Sequence, residues 1–119
     1  MTGALRGLLA AALVAAPGAA GAHSLLLESV PASGATLTAP PRQLMLRFNN
    51  RIEKSLSRVR LVSDRGADQL LAVTAGGGPA DRLTATVPPL DPGRWRVEWQ
   101  VLSTDGHVVS GRFDFNIAP

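Results

Sequence analysis

After Ala22 the chain alternates apolar and polar residues with period two in short runs, and Gly, Pro, Asp or Asn interrupts the runs about every ten residues. The clearest run is 94–101, where Trp95, Val97, Trp99 and Val101 alternate with Arg94, Arg96, Glu98 and Gln100. Successive side chains of a strand project to opposite faces, so this pattern puts both tryptophans on one buried face. Residues 112–117 repeat it, with Phe113, Phe115 and Ile117 inward and Arg112, Asp114 and Asn116 outward. A third strand is predicted over 43–49 from Leu44, Leu46 and Phe48, and a fourth around Val59 and Leu61. Fainter patterns at 24–29, 69–74 and 83–87 complete a set of about seven short strands with no helical period between them. The breakers are Pro31-Ala32-Ser33-Gly34, Pro40-Pro41, Asp64-Arg65-Gly66, Gly76-Gly77-Gly78-Pro79 and the proline-rich stretch 88–93. The expectation is an all-β domain, either a two-sheet sandwich or a Greek-key barrel.

The first 22 residues follow a different logic. Arg6 supplies a positive charge, residues 8–16 are continuously apolar, and Pro17-Gly18 precedes the small residues Ala20-Gly21-Ala22. That is the layout of a secretory signal peptide with an A-x-A cleavage site. Its apolar stretch is well short of the roughly 20 residues a membrane-spanning helix needs. Residues 1–22 are therefore read as a cleaved leader and residues 23–119 as one exported domain whose first residue is His23.

Export changes what composition means. Exported domains of this size commonly lean on disulfides, yet the chain has no cysteine, so its core must suffice and thiolate metal or redox chemistry is excluded. The formal charge of +3 comes from arginines placed singly along the chain rather than from a polybasic run, which argues against nucleic acid or an anionic membrane as partner.

The chain has two histidines. His23, once first, offers an α-amine as well as its ring Nδ1, and together these close a six-membered chelate ring that no internal histidine can form. The amine has an ordinary pKa of about 8, so a metal displaces its proton at neutral pH at modest cost. His107 ends the sequence Asp105-Gly106-His107 directly after the tryptophan strand. In an extended chain residues two apart project to the same side, which lets a carboxylate and an imidazole converge on one ion. Three nitrogens and one carboxylate oxygen suit tetragonal Cu(II) better than Cu(I). Asp-Gly is equally a common turn pair, and a solvated histidine after it needs no ligand. Other residues carry less chemistry. Ser103 and Ser110 flank the turn without a nucleophile elbow or an oxyanion-forming glycine pattern. Asp64, Asp68 and Asp81 read as turn formers, and Met45 is a single thioether on an outward position.

Taken in order, His23, the segment Ser29-Val30-Pro31-Ala32-Ser33-Gly34-Ala35, then Leu44-Met45-Leu46-Arg47-Phe48, then Pro89-Leu90-Asp91-Pro92-Gly93-Arg94-Trp95-Arg96-Val97-Glu98-Trp99, and finally Ser103-Thr104-Asp105-Gly106-His107 running on to Phe113 resemble the CopC family of periplasmic copper-resistance proteins. The resemblance implies a Greek-key β-sandwich or barrel of cupredoxin and immunoglobulin-like character. It implies a periplasmic copper-binding protein, not an enzyme, often working with a CopD-type inner-membrane protein. It assigns His23, Asp105 and His107 as Cu(II) ligands. Two departures stand out. The position where some members add a glutamate ligand is here Asn50, leaving Asn50 or water to complete the site. The region where Cu(I)-binding members are methionine-rich reads Ser63-Asp64-Arg65-Gly66-Ala67-Asp68-Gln69, without methionine. The expectation is thus a single Cu(II) site. The competing functions are a copper-dependent oxidase or monooxygenase built on an N-terminal histidine brace, and a metal-free immunoglobulin-like interaction module.

Overall fold

A computed structural model of the protein describes residues 25–119, so the leader read in residues 1–22 and His23 itself lie outside the described residues. Among the described residues, nine strands form two sheets that face each other across one core. The four-stranded sheet contains β1 (Leu26–Val30), β3 (Gln43–Phe48), β7 (Arg82–Thr86) and β6 (Ala72–Val73), hydrogen-bonded in that order. The five-stranded sheet runs β2 (Thr36–Leu37), β9 (Val108–Ile117), β8 (Gly93–Leu102), β4 (Arg58–Ser63), β5 (Asp68–Leu70). All pairings are antiparallel except β2 with β9, which is parallel. The all-β sandwich expected from the alternation is therefore the observed architecture.

Alternation decides which face each residue takes. On β3 the buried residues are Leu44, Leu46 and Phe48; on β8 they are Trp95, Val97, Trp99 and Val101; on β9 they are Phe113, Phe115 and Ile117. Val59 and Leu61 from β4 and Leu83 and Ala85 from β7 close the same core. Phe48 and Trp99 meet across it edge to face, with ring centroids 5.2 Å apart and planes at 70°, the arrangement that the ring quadrupoles favour.

Two details differ from the pattern in the sequence. Residues 69–74, read as one strand, divide into β5 and β6, which belong to opposite sheets. The chain changes sheet at Leu71, whose side chain is buried and whose N–H donates to the Val59 carbonyl at 2.8 Å. Asp68, read as a turn former, is in β5 and pairs with Arg60 at 2.9 Å.

Trp99 also explains a glycine. Gly111 sits directly opposite it in the β8–β9 ladder, and a Cβ at Gly111 would overlap Trp99 Cζ2 and lie 2.8 Å from Cε2. The indole is held between Gly111 and Phe48, so it has little room to yield. Gly111→Ala is expected to cost about 1–3 kcal/mol through overpacking, lowering the melting temperature by roughly 5–20 °C in a domain of this size. Thermal unfolding followed by tryptophan fluorescence measures this, and an unchanged midpoint would contradict the packing described.

Candidate metal centre

Strands β8 and β9 are long partners, in register from Gly93 opposite Ile117 to Leu102 opposite Val108. Their connection is therefore held at a fixed place at one end of the sandwich. The Gly106 N–H donates to the Ser103 carbonyl at 2.9 Å, and the Ser103 N–H donates to the His107 carbonyl at 2.9 Å. Gly106 has φ of +90°. That value is open to glycine at no steric cost, which is what allows so tight a return.

This turn brings Asp105 and His107 together. One carboxylate oxygen of Asp105, Oδ1, accepts the His107 backbone N–H at 3.1 Å, and the other, Oδ2, lies 3.1 Å from His107 Nδ1. The convergence expected from an extended strand is thus achieved differently. Residues 103–107 form a turn, and the aspartate folds over its own backbone in the manner of an Asx turn. Two donors held cis at about 2.0–2.2 Å from one divalent ion are about 2.8–3.1 Å apart, so the observed spacing suits two donors on one ion as well as a direct imidazole–carboxylate contact. Both side chains reach solvent, at 31% exposure for Asp105 and 60% for His107. A polar contact as open as this is worth at most about 1 kcal/mol. A metal taking both donors would displace little.

A second segment is fastened at the same end. The loop after β3 is tied to the hairpin by the Ile52–Ser103 bridge and by the Glu53 N–H, which donates to the Leu102 carbonyl at 2.9 Å. Asn49, at the start of that loop, binds Leu25 twice. Its side-chain Oδ1 accepts the Leu25 N–H at 2.6 Å, and its own N–H donates to the Leu25 carbonyl at 3.0 Å. Asn50 is the next residue of this loop and is half-buried. The Asn49 clamp was not visible in the sequence, where Asn49 read as the last residue of a strand. Among the described residues no group of three or more His, Cys, Asp or Glu side chains could share an ion. Asp105 and His107 are a pair, and the third residue proposed from the sequence, His23, precedes the described segment.

Ser103 is buried at 2% exposure, while Ser110 projects from the outer face of β9. Among the described residues no helix is long and apolar enough to cross a membrane.

Residues 26–118 match the family model of the CopC domain. The chain belongs to the CopC family. Copper resistance protein C of Xanthomonas campestris pv. juglandis is 33% identical over 117 residues, covering 92% of this chain and 90% of that protein. The crystal structure of CopC from Methylosinus trichosporium OB3b superposes with a TM-score of 0.74 at 29% identity, covering 82% of this chain and 95% of that one. A copper transport protein of Bacillus subtilis, CutJ, is 28% identical over 108 residues, which are 88% of this chain but 20% of CutJ. The same CopC unit thus occurs both as nearly a whole protein and as a fifth of a longer one.

Proposed function

We propose that the mature protein is an exported copper-binding protein of copper resistance or homeostasis that holds one Cu(II) ion. The α-amine and Nδ1 of His23, a carboxylate oxygen of Asp105 and the imidazole of His107 form the donor set. The observation that carries this reading is the 3.1 Å convergence of Asp105 and His107 at the end of the sandwich where Asn49 clamps Leu25. His23 lies two positions before Leu25, and an extended chain spans at most about 3.6 Å per residue. Cleavage after Ala22 therefore releases the amine within about 7 Å of a fixed point beside the loop that bridges to Ser103. Little chain entropy is lost when such a tethered donor binds.

The copper-resistance and copper-transport names of the relatives support the choice of metal. Three nitrogens with one carboxylate oxygen favour the oxidised ion, and residues 63–69 contain no methionine to add a soft donor. The ion is cargo here. The protein sequesters it in the periplasm or hands it to a CopD-type inner-membrane protein, and catalyses no reaction. The relation to CutJ, in which this unit is part of a longer copper transport protein, supports such a handover.

Mass spectrometry of the exported protein, purified with and without copper, tests the cleavage point and the stoichiometry together. The expected result is a chain beginning at His23 and carrying one copper. A ligand that binds only the folded state also stabilises it, by about 2.7 kcal/mol at a free concentration one hundred times its Kd. The copper-loaded protein should therefore melt well above the metal-free one. A melting temperature indifferent to Cu(II) would count against the site.

A further inference from the structure

The outer face of the five-stranded sheet carries a groove of about 400 Å³ that the copper reading does not use. Its walls are the side chains that the buried alternation sends outward: Arg58 and Arg60 from β4, Glu98 and Gln100 from β8, and Ser110 and Arg112 from β9, with Leu70 of β5 at its margin. Strand register sets the rows. Arg60, Glu98 and Arg112 stand side by side across three strands, and Arg58, Gln100 and Ser110 form the next row.

The arginines of this groove differ in how their charge is met. Elsewhere on the strands Arg47 pairs with Glu28 at 3.0 Å and Arg96 with Asp114 at 3.1 Å. In the groove Arg60 turns away to Asp68 at 2.9 Å. Arg112 stands opposite Glu98 in register, yet no ion pair within 4.0 Å joins them, and among the described residues Arg58 and Arg112 have no carboxylate partner. Two guanidinium groups without an ion pair, those of Arg58 and Arg112, thus line one concavity with a single carboxylate, Glu98, inside it. Like charges brought together on a sheet face are unfavourable, and guanidinium forks are suited to carboxylates, which they bind with two parallel hydrogen bonds. Leu70, 59% exposed, adds an apolar contact at the edge.

We propose that this groove docks an acidic segment of the protein that exchanges copper with this chain, with Arg58 and Arg112 as the principal contacts. The groove lies on the same two strands that present the Asp105–His107 turn. Ser110 is three residues from His107, about 10 Å at strand rise, so a segment seated in the groove places its parent protein next to the copper end. Positive charge on a concave surface also steers an acidic partner during encounter. The identity of the partner's task rests on the copper reading; the groove's preference for an acidic occupant does not.

The test uses the mature, metal-free protein labelled with nitrogen-15 and a capped peptide of sequence Glu-Glu-Leu-Glu-Glu. Amide shift changes are expected to cluster on β4, β8 and β9 around Arg58, Gln100 and Arg112. The Arg58→Gln/Arg112→Gln double variant is expected to bind the peptide at least ten-fold more weakly. Because both side chains are exposed, its melting temperature and Cu(II) affinity should equal those of the unmodified protein. Equal binding by the double variant, or shift changes spread over Arg42, Arg51 and Arg82 as well, would overturn the proposal as unspecific charge attraction. So would an equal response to inorganic phosphate, which would make this a small-anion site, or concentration-dependent dimerisation abolished by the double variant, which would make the occupant a second copy. Failure of the protein to bind Cu(II) leaves the peptide result intact, so the two readings fail separately.

Discussion

Fusing a folded tag directly to His23, so that its backbone nitrogen is an amide, is expected to weaken Cu(II) binding by at least a hundred-fold, about 2.7 kcal/mol. The tag removes a donor atom and, with it, the chelate ring through which one residue supplies two ligands. What remains is the His23 imidazole without its chelate ring and, at the turn, Asp105 and His107, an exposed pair 3.1 Å apart. His107→Ala should cause a loss of similar size, because it leaves the aspartate as the last fixed ligand. Asp105→Asn should cost less, about ten- to a hundred-fold, since the amide keeps an acceptor for the His107 backbone N–H while losing the charge that neutralises the ion. Competition against a chromogenic Cu(II) chelator measures all three. Equal affinity of the tagged and untagged proteins would remove the amine from the site and the copper reading with it.

Phe48→Ala is expected to destabilise the fold by about 3–5 kcal/mol, the largest stability effect among single substitutions considered. Phe48 is fully buried and stacks edge to face on Trp99, so its loss opens a cavity between the two sheets and frees the indole. A domain of this size has about 5–15 kcal/mol to lose, and no disulfide restrains the unfolded chain. The melting temperature should fall by about 15–30 °C. Copper added in excess should recover part of that fall, because Phe48 lies in the core rather than at the turn. A shift smaller than a few degrees would mean that the sheets are not held together there.

Much of this architecture was legible because alternation reports burial directly. The inward sets of β3, β4, β8 and β9 were recognisable as every second apolar residue, and each is buried in the structure. What alternation cannot report is pairing. β2 is two residues long and lies parallel to β9, the far end of the chain, and nothing local to Thr36-Leu37 signals that contact. Residues 69–74 kept their period while changing sheets, since the inward face of one sheet and that of the other look alike in sequence. At the candidate site, Asp105 and His107 were identifiable from residue type and spacing, but the Asx turn that joins them and the Asn49 clamp on Leu25 depend on side-chain geometry. The arginine groove was invisible for a related reason. Arg58, Arg60 and Arg112 each read as an ordinary solvated position, and only the strand register sets them on one face.

The irregularity in β1 has a bearing on how the protein behaves when crowded. β1 forms an edge of the four-stranded sheet, and its register against β3 shifts between Leu26 and Glu28. Leu25, Leu27 and Val30 are each about half exposed along it. An even, apolar edge of that kind would be a template for another chain to add a strand. The misalignment twists the free backbone groups out of line, and Glu28, tied to Arg47, places a charge in the middle. The end of the molecule at which the metal site is proposed thereby offers a poor template for strand addition.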